Sequence, residues 1–500
     1  MELPVLTPKR HNQRIKRWKQ LQSNSLLHII SMLRSFGKRS AILARPLVRP
    51  LSSDASGNGL LQLFKDRGLI SQVSAPEDTL VSKLASGKKV KMYCGVDPTA
   101  KSIHLGNLVP MMLLLNFYVR GHDIVNIVGG ATGAVGDPSG RATERKAMAT
   151  DTRLDNVSRI TAQLQRFFRN GLAYYEDKYK DSGNSTNEGI YTMTNNYNWW
   201  KDVKMIDFLA RYGKHIRIQS MLSRDSVSAR LESQGSLGFN EFTYQILQAY
   251  DFYHLYKNEG TDIQIGGNDQ WGNITAGIDL INRVEQGTPH LKTDPPFAIT
   301  VPLLTTSNGQ KFGKSAGNAI FLDEEINTPY DIYQFFLNTT DEDVSRFLKI
   351  FTLMPLADVS EVVAEHNKSP QLHHGQRVLA REVTEMIHGP QKAEDAVIVS
   401  SVLFDNGTIS QSGKELVRLF SSARILKQAK MDTDLISMVA DLMQCSKSEA
   451  KRKVSQGGVY LGPARTQVSQ NTSEWTQFLI DNEVLLLRVG KQKCFVVQMS

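Results

Sequence analysis

Four short clusters in this chain hold residue types that could do chemistry. His104-Leu105-Gly106-Asn107 opens a helix that follows a strand. Backbone N–H groups at a helix start, backed by a donor side chain, form a site for phosphate. Gly106, having no side chain, lets a nucleotide ring pack against the backbone. Lys311-Phe312-Gly313-Lys314-Ser315 follows the turn residues Ser307-Asn308-Gly309. Two lysines flanking a glycine can reach a triphosphate and neutralise charge developing on a leaving pyrophosphate. Gln264 to Asn273 (QIGGNDQWGN) sets carboxamides, one carboxylate and three glycines after an apolar run, a mixture for which core packing has no use. Gly129-Gly130-Ala131-Thr132-Gly133 and then Gly136-Asp137-Pro138-Ser139-Gly140-Arg141 follow a strand, where open α/β sheets place ligands. Taken singly, each also fits a plainer role: a surface histidine, a solvated loop, a flexible connector.

The elements that must position these clusters are legible around them. Lys91 to Val96 is strand-like, Asp97-Pro98-Thr99 breaks it, and Asn107 to Arg120 has helical length. Gly121 closes that helix, and Ile124 to Val128 is a short β-rich run of the buried parallel type. Strand, crossover helix and strand in this order predict a right-handed βαβ unit. Folded structure should begin near Gly59, and residues 177–189 (DKYKDSGNSTNEG) read as a surface loop. The pattern turns helical from Pro329 to about Leu419. A small terminal unit over 430–500 has its own helix pair and an apolar, strand-like end. No internal repeat is present.

A length of 500 residues suggests about three domains. With 41% hydrophobic and 22% charged residues, a disordered, collagen-like or disulfide-scaffold chain is excluded. The richest apolar patch, Val109 to Val119, is interrupted by Asn116, so no membrane span is expected. Cys94, Cys445 and Cys494 are too widely spaced for a disulfide framework or a zinc motif, which suits a reducing compartment. The net charge of +9 is unevenly placed: residues 1–53 hold eleven Lys and Arg and one acid, Glu2. Residues 54–500 keep 48 basic and 49 acidic residues, so the body is near neutral. Any nucleic-acid contact must therefore rest on local patches. Acid-poor, rich in Arg and Ser, and amphipathic from Leu26 to Arg34, the first segment has the composition of a mitochondrial transit peptide. A basic arm that touches RNA is the alternative.

HLGN resembles the first signature of the class I aminoacyl-tRNA synthetases, and KFGKS the second, in the right order about 200 residues apart. YCGVDPTA, GGATGAVGDPSGR, YQILQAYDF and QIGGNDQWGNI are similar to the tyrosyl-tRNA synthetase versions of these regions. The likeness runs from about Gly59 to the C-terminus. With the leader, the chain resembles the mitochondrial, fungal-type branch of that family.

The resemblance implies an α/β fold: a Rossmann-like parallel sheet in a catalytic domain with an inserted connective region (54–325). A helical anticodon-binding domain (326–425) and a small S4-like α+β RNA-binding domain (430–500) would follow, with the transit peptide over 1–53. Tyr93 and Asp251 would grip the phenol of L-tyrosine. Asp137, Tyr244 and Gln248 would hold its ammonium, Gln264 would lie behind or touch it directly, and Gln270 would lie near its carboxylate. ATP would meet Gly95, Asp97, Thr99, His104, Gly106, Asn107 and Asp269, with Lys311, Lys314 and Ser315 closing over the phosphates. Arg141 would add a cation, where relatives often have lysine. Asn107 stands where the signature usually has a second histidine; it can donate a hydrogen bond but cannot carry charge. Mg²⁺ would come with ATP, bound mainly by phosphates and water, and no protein metal site is expected. The implied reaction is attack of the tyrosine carboxylate on the α-phosphorus, then transfer of tyrosyl to the 3′ end of mitochondrial tRNA(Tyr) in the matrix.

Within Cys445 to Arg465, Lys447, Lys451, Arg452, Lys453 and Arg465 face one acid, Glu449, in a stretch resembling the S4 RNA-binding fold. Cys94 reads as a packing residue, since no histidine lies near it in sequence. The family also implies a homodimer and no membrane partner. Tyr93, Asp251 and the S4-like tail argue against the tryptophanyl relatives. A role in group I intron splicing, as addition or alternative, is the different-class reading.

Overall fold

The computed structural model describes residues 58–139, 148–179, 189–232, 237–286, 295–305, 319–405, 409–469, 473–490 and 493–500. The expected leader, Arg141, and the motif carrying Lys311, Lys314 and Ser315 lie outside the described residues. The first sheet has six strands: β1 (Gln72–Val73), β2 (Lys91–Val96), β3 (Asp123–Val128), β4 (Tyr191–Asn195), β5 (Ile263–Gly267) and β6 (Phe297–Val301). Their spatial order is β1-β6-β5-β2-β3-β4. All neighbours pair in parallel except β1, which runs antiparallel to β6. The sheet is thus mixed and mostly parallel, with a two-residue antiparallel edge that is too short to leave a pattern in the sequence.

The expected βαβ unit is present. Helix α1 (Leu105–Tyr118) carries the chain from β2 to β3, which lies parallel beside it. The helix starts two residues earlier than the apolar periodicity suggests, because His104 caps it. The His104 ring Nδ1 accepts from the Gly106 N–H at 3.1 Å, and the Asn107 Oδ1 accepts from the His104 N–H at 3.2 Å. These reciprocal bonds satisfy two otherwise orphaned groups. Eleven α1 residues from Leu105 to Phe117 are buried, so this helix is a core element with no polar face.

Side chains alternate across the strands and divide the core. Met92, Cys94, Ile124 and Val128 join the cluster of α1 and of α2 (Thr150–Lys178). Tyr93, Val125 and Ile127 turn the other way, into an aromatic cluster with α3 (Phe239–Glu259) and α4 (Trp271–Glu285). Burying each such apolar side chain is worth about 1.5–3 kcal/mol. α2 runs to Lys178, so the first residues of the expected 177–189 loop are helical, and 180–188 fall outside the described residues.

The chain winds outward from β2 through β3 to β4, then returns to add β5 on β2's other side. The crevice at the carboxyl ends of β2 and β5 is therefore the switch point where such sheets take ligands. Beyond it, the described residues from Pro329 to Ser422 form six α-helices and a short 3-10 turn. Their core residues, among them Phe336, Phe351 and Leu379, belong to the same apolar cluster as α1. The buried Arg67 guanidinium donates to the carbonyls of Lys349, Thr352 and Met354, fastening the end of the described helix Asn58–Asp66 to this region. The last unit has strands β7 (Lys427–Ala429), β8 (Val459–Leu461), β9 (Thr466–Val468), β10 (Val484–Val489) and β11 (Lys493–Met499), ordered β7-β11-β10-β8-β9. With helices Leu435–Met443 and Lys447–Ser455 it encloses a second core around Val439, Val454, Leu461 and Leu485. No described helix is long and apolar enough to cross a membrane.

Candidate active site

A cleft of about 390 Å³ opens at the switch point, within the usual range for small-ligand sites. It gathers residues far apart in sequence. From β2 and the following turn come Tyr93, Gly95, Asp97 and Thr99; from the start of α1, His104, Gly106 and Asn107. Asp137 follows β3, Tyr244, Gln248 and Asp251 line one side of α3, Gln264 lies on β5, and Asp269 and Gln270 follow that strand. Every described residue expected to meet tyrosine or ATP lines this one cavity.

Asp251 is buried in the cleft wall, 4% exposed. Its Oδ1 accepts from the indole N–H groups of Trp199 and Trp200, each at 2.8 Å, and its Oδ2 from the Asn196 amide at 3.0 Å. Burial pushes its carboxyl up to about 7, against the pull of those three donors. Beside it the Tyr93 hydroxyl is buried with no hydrogen-bond partner. An orphaned hydroxyl of this kind costs about 1–3 kcal/mol unless a ligand supplies its partner. Gln264, 3% exposed, likewise keeps an unpartnered Oε1 in the cleft. That oxygen favours direct contact over a place behind the ligand.

Asn196 joins two carboxylates. One of its amide protons reaches Asp251, the other the Thr132 hydroxyl at 3.0 Å, and its oxygen accepts from the Ala131 N–H at 2.8 Å. Thr132 donates to Asp97 Oδ1 at 2.8 Å, and the Tyr244 hydroxyl donates to Asp97 Oδ2 at 2.8 Å. Asp97, expected with ATP, is thus tied to Tyr244, expected with tyrosine. A third carboxylate, Asp137, accepts from Gln270 at 2.7 Å and from the Ser139 N–H at 2.9 Å. Asn273 braces it by donating to Ser139 Oγ at 3.1 Å.

Gly95 and the glycines of the fourth cluster differ in what lies behind them. A Cβ on Gly95 would meet nothing within 4 Å, so this position is open to a ligand. On Gly129 it would sit 2.0 Å from Asp97 Oδ1, on Gly130 2.2 Å from Asn195 Oδ1, and on Gly133 2.6 Å from Pro98 Cδ. Those three glycines make room for neighbouring segments, not for a ligand. Cys94 is buried, which pushes its thiol up to about 12, so it stays protonated and packs.

These features match known proteins. The family described as "tRNA synthetases class I (W and Y)" matches residues 85–405. The chain is 56% identical over 448 residues, 90% of each protein, to the mitochondrial tyrosine–tRNA ligase of Saccharomyces cerevisiae. It is 38% identical to tyrosine–tRNA ligase 2 of Bacillus cereus, over 87% of this chain and 98% of that one. The chain belongs to the tyrosyl-tRNA synthetases. Among solved structures, a C-terminally truncated mitochondrial tyrosyl-tRNA synthetase of Aspergillus nidulans superposes with a TM-score of 0.62 at 35% identity, covering 69% of this chain and 94% of that one. The Coccidioides posadasii counterpart gives 0.61 at 32% identity, covering 77% and 98%.

Sequence reasoning held Thr132 only as a member of its glycine cluster and missed Asn196, Trp199 and Trp200. The four touch ligand-facing groups from segments 35 to 55 residues away, and for the last three only the paired tryptophans of NNYNWW were a hint. In the terminal unit of the synthetase, Lys447, Lys451 and Arg452 are exposed on helix Lys447–Ser455, whose Ala450 and Val454 face the core. Two of the five expected RNA-contact residues have partners within the chain. Lys453 pairs with Glu449 at 3.3 Å, and the Arg465 guanidinium donates to the Asp405 carbonyl, tying the terminal unit to the helices before it.

Proposed function

We propose that this cleft joins the carboxylate of L-tyrosine to the α-phosphorus of ATP, and that the tyrosyl group then passes to the terminal ribose of tRNA(Tyr). The chain is a tyrosine–tRNA ligase that uses ATP, and its relatives of the same branch are mitochondrial. The observation that carries the residue assignment is the Tyr93–Asp251 pair. A carboxylate offers about four acceptor sites, and three of those on Asp251 are filled. The remaining site, on Oδ2, accepts the substrate phenol O–H while the orphaned Tyr93 hydroxyl donates to the phenol oxygen. Phenylalanine would leave both groups unpaired, at about 1–3 kcal/mol each.

The ammonium would lie among Asp137, the Tyr244 oxygen, Gln248 and the free Gln264 oxygen, with Gln270 toward the carboxylate. The attacking carboxylate is already anionic, so the first step requires no general base; positioning and charge stabilisation do the rest. His104 and the α1 N-terminus would face the phosphates. The Asn107 oxygen is committed to the cap, which leaves its amide N–H groups to donate. Lys311, Lys314, Ser315 and Arg141 would add charge and donors, and Mg²⁺ would arrive with the nucleotide.

The basic 1–53 segment would lead the chain to the matrix, and exposed Met205, Ile206, Ile218 and Phe239 supply apolar surface for a homodimer. N-terminal sequencing of the matrix form and sedimentation test those two readings. Among the described residues nothing bears on a role in intron splicing. The decisive assay is ATP–pyrophosphate exchange with each amino acid in turn. Tyrosine alone should drive it, with phenylalanine slower by at least about thirtyfold; exchange driven by tryptophan overturns the assignment.

A further inference from the structure

One buried carboxamide holds together three segments around the start of α1. Gln163, on α2, is 5% exposed. Its Oε1 accepts from the Ser102 hydroxyl at 2.9 Å and from the Ile103 N–H at 3.2 Å. Its Nε2 donates to the Lys101 carbonyl at 3.1 Å and to the Asp323 carboxylate at 3.1 Å. All four hydrogen-bonding positions of the side chain are thereby used. The Asp323 N–H closes the ring by donating to Ser102 Oγ at 3.1 Å.

Gln163 does not line the cleft, but Ser102, Ile103 and His104 do. The segment holding Asp323 lies against the same stretch. The Leu105 N–H donates to the Ile320 carbonyl at 3.0 Å, the Leu322 N–H to the Ile103 carbonyl at 3.0 Å, and His104 bridges Phe321. α2 supports this turn along one stripe: Asn156 donates to the Pro98 carbonyl at 3.0 Å, Ile160 lines the cleft, and Gln163 follows on the same face.

We infer that Gln163 is a positioning residue for adenylate formation. It fixes the His104 turn against residues 320–323, and so sets the aim of the His104 ring and the α1 N–H groups at the nucleotide. The inference rests on the reading of the cleft as the ATP site. Donors that must meet developing charge tolerate little displacement, and about 1 Å can cost on the order of a hundredfold. A carboxylate at 163 could not replace the amide. It would turn toward the Lys101 carbonyl and Asp323, and the cation there, Arg159 at 3.6 Å from Asp323, already serves Asp155 and Glu325.

The test is single-turnover adenylate formation by the full chain at varied ATP, with the dissociation constant of tyrosine and the Tm measured beside it. Gln163→Met, similar in length and without polar atoms, should lower the rate at saturating ATP at least tenfold and leave tyrosine affinity within twofold. Gln163→Glu keeps the bonds from Ser102 and Ile103 and loses those to Lys101 and Asp323. It should show the same loss in rate, which locates the effect in the amide's bonds to Lys101 and Asp323. Wild-type rate in either folded variant, a change in the KM for ATP alone, or a fall in tyrosine affinity that tracks the rate would each overturn the inference. A wild-type chain with no tyrosine-dependent exchange would instead fail the reading of the cleft.

Discussion

Asp251 sits at the balance between burial and hydrogen bonding. Its folded-state pKa of about 7 lies above the ordinary value of 3.8. Between about pH 4 and 7 the folded chain therefore keeps a proton that the unfolded chain releases, and this group lowers stability as pH rises through that window. Function runs the other way. Only the ionised carboxylate can accept from Trp199, Trp200, Asn196 and the substrate phenol together, so kcat/KM for tyrosine should fall as pH drops below about 7. Trp200→Phe removes one donor to Oδ1 and should move that limb to higher pH. Asp251→Asn should abolish it and lower kcat/KM at least tenfold, since a charge-assisted bond is worth about 1.5–3 kcal/mol. A pH profile identical in wild type and Trp200→Phe would show that the second indole does not tune this carboxyl. The phenol pair itself was legible, because Tyr93 and Asp251 stand in recognisable motifs. Its supports were not: a tryptophan that acts through a side chain of a distant segment leaves no period and no spacing.

At the scale of elements, the βαβ unit was legible because a buried strand and a buried helix each leave an apolar run of characteristic length. The start of α1 was legible at His104 to Asn107, but the cap itself was not, since histidine is not among the side chains that commonly cap helices. What lies behind each glycine was hidden for a related reason. Gly95 faces open cleft and Gly129 faces Asp97, a difference set by which segment packs behind each one. The cap also shows how the two roles of Asn107 can be separated. Asn107→Asp keeps an oxygen for the His104 N–H and places negative charge at a helix start, so the Tm should hold or rise. It also removes the amide donor and sets an anion near the nucleotide phosphates, so adenylate formation should slow at least tenfold. An aspartate variant with wild-type single-turnover kinetics would reduce Asn107 to a helix cap.

For the whole molecule, the charge distribution separates amino-acid chemistry from RNA contact. The body beyond residue 53 is almost neutral, so attraction for tRNA must come from local groups such as the exposed face of helix Lys447–Ser455. That face was readable as a basic cluster. Its true extent was not, because the Glu449 pairing of Lys453 and the Asp405 carbonyl bound by Arg465 depend on tertiary packing. Three exposed cations of this described helix remain to be tested: Lys447, Lys451 and Arg452. Each phosphate neutralised releases roughly 0.7–0.9 of a counterion, so replacing all three with alanine should flatten the slope of log affinity against log salt by about 2–3. The weakening should be similar for any tRNA, because phosphate contacts position the partner without reading its bases. Tyrosine-dependent pyrophosphate exchange involves no tRNA and should stay within twofold of wild type. Filter binding across a salt series reads the first effect and the exchange assay the second. An unchanged salt slope would move the RNA surface away from this helix, whereas a drop in exchange would mean that the terminal unit also supports the catalytic cleft.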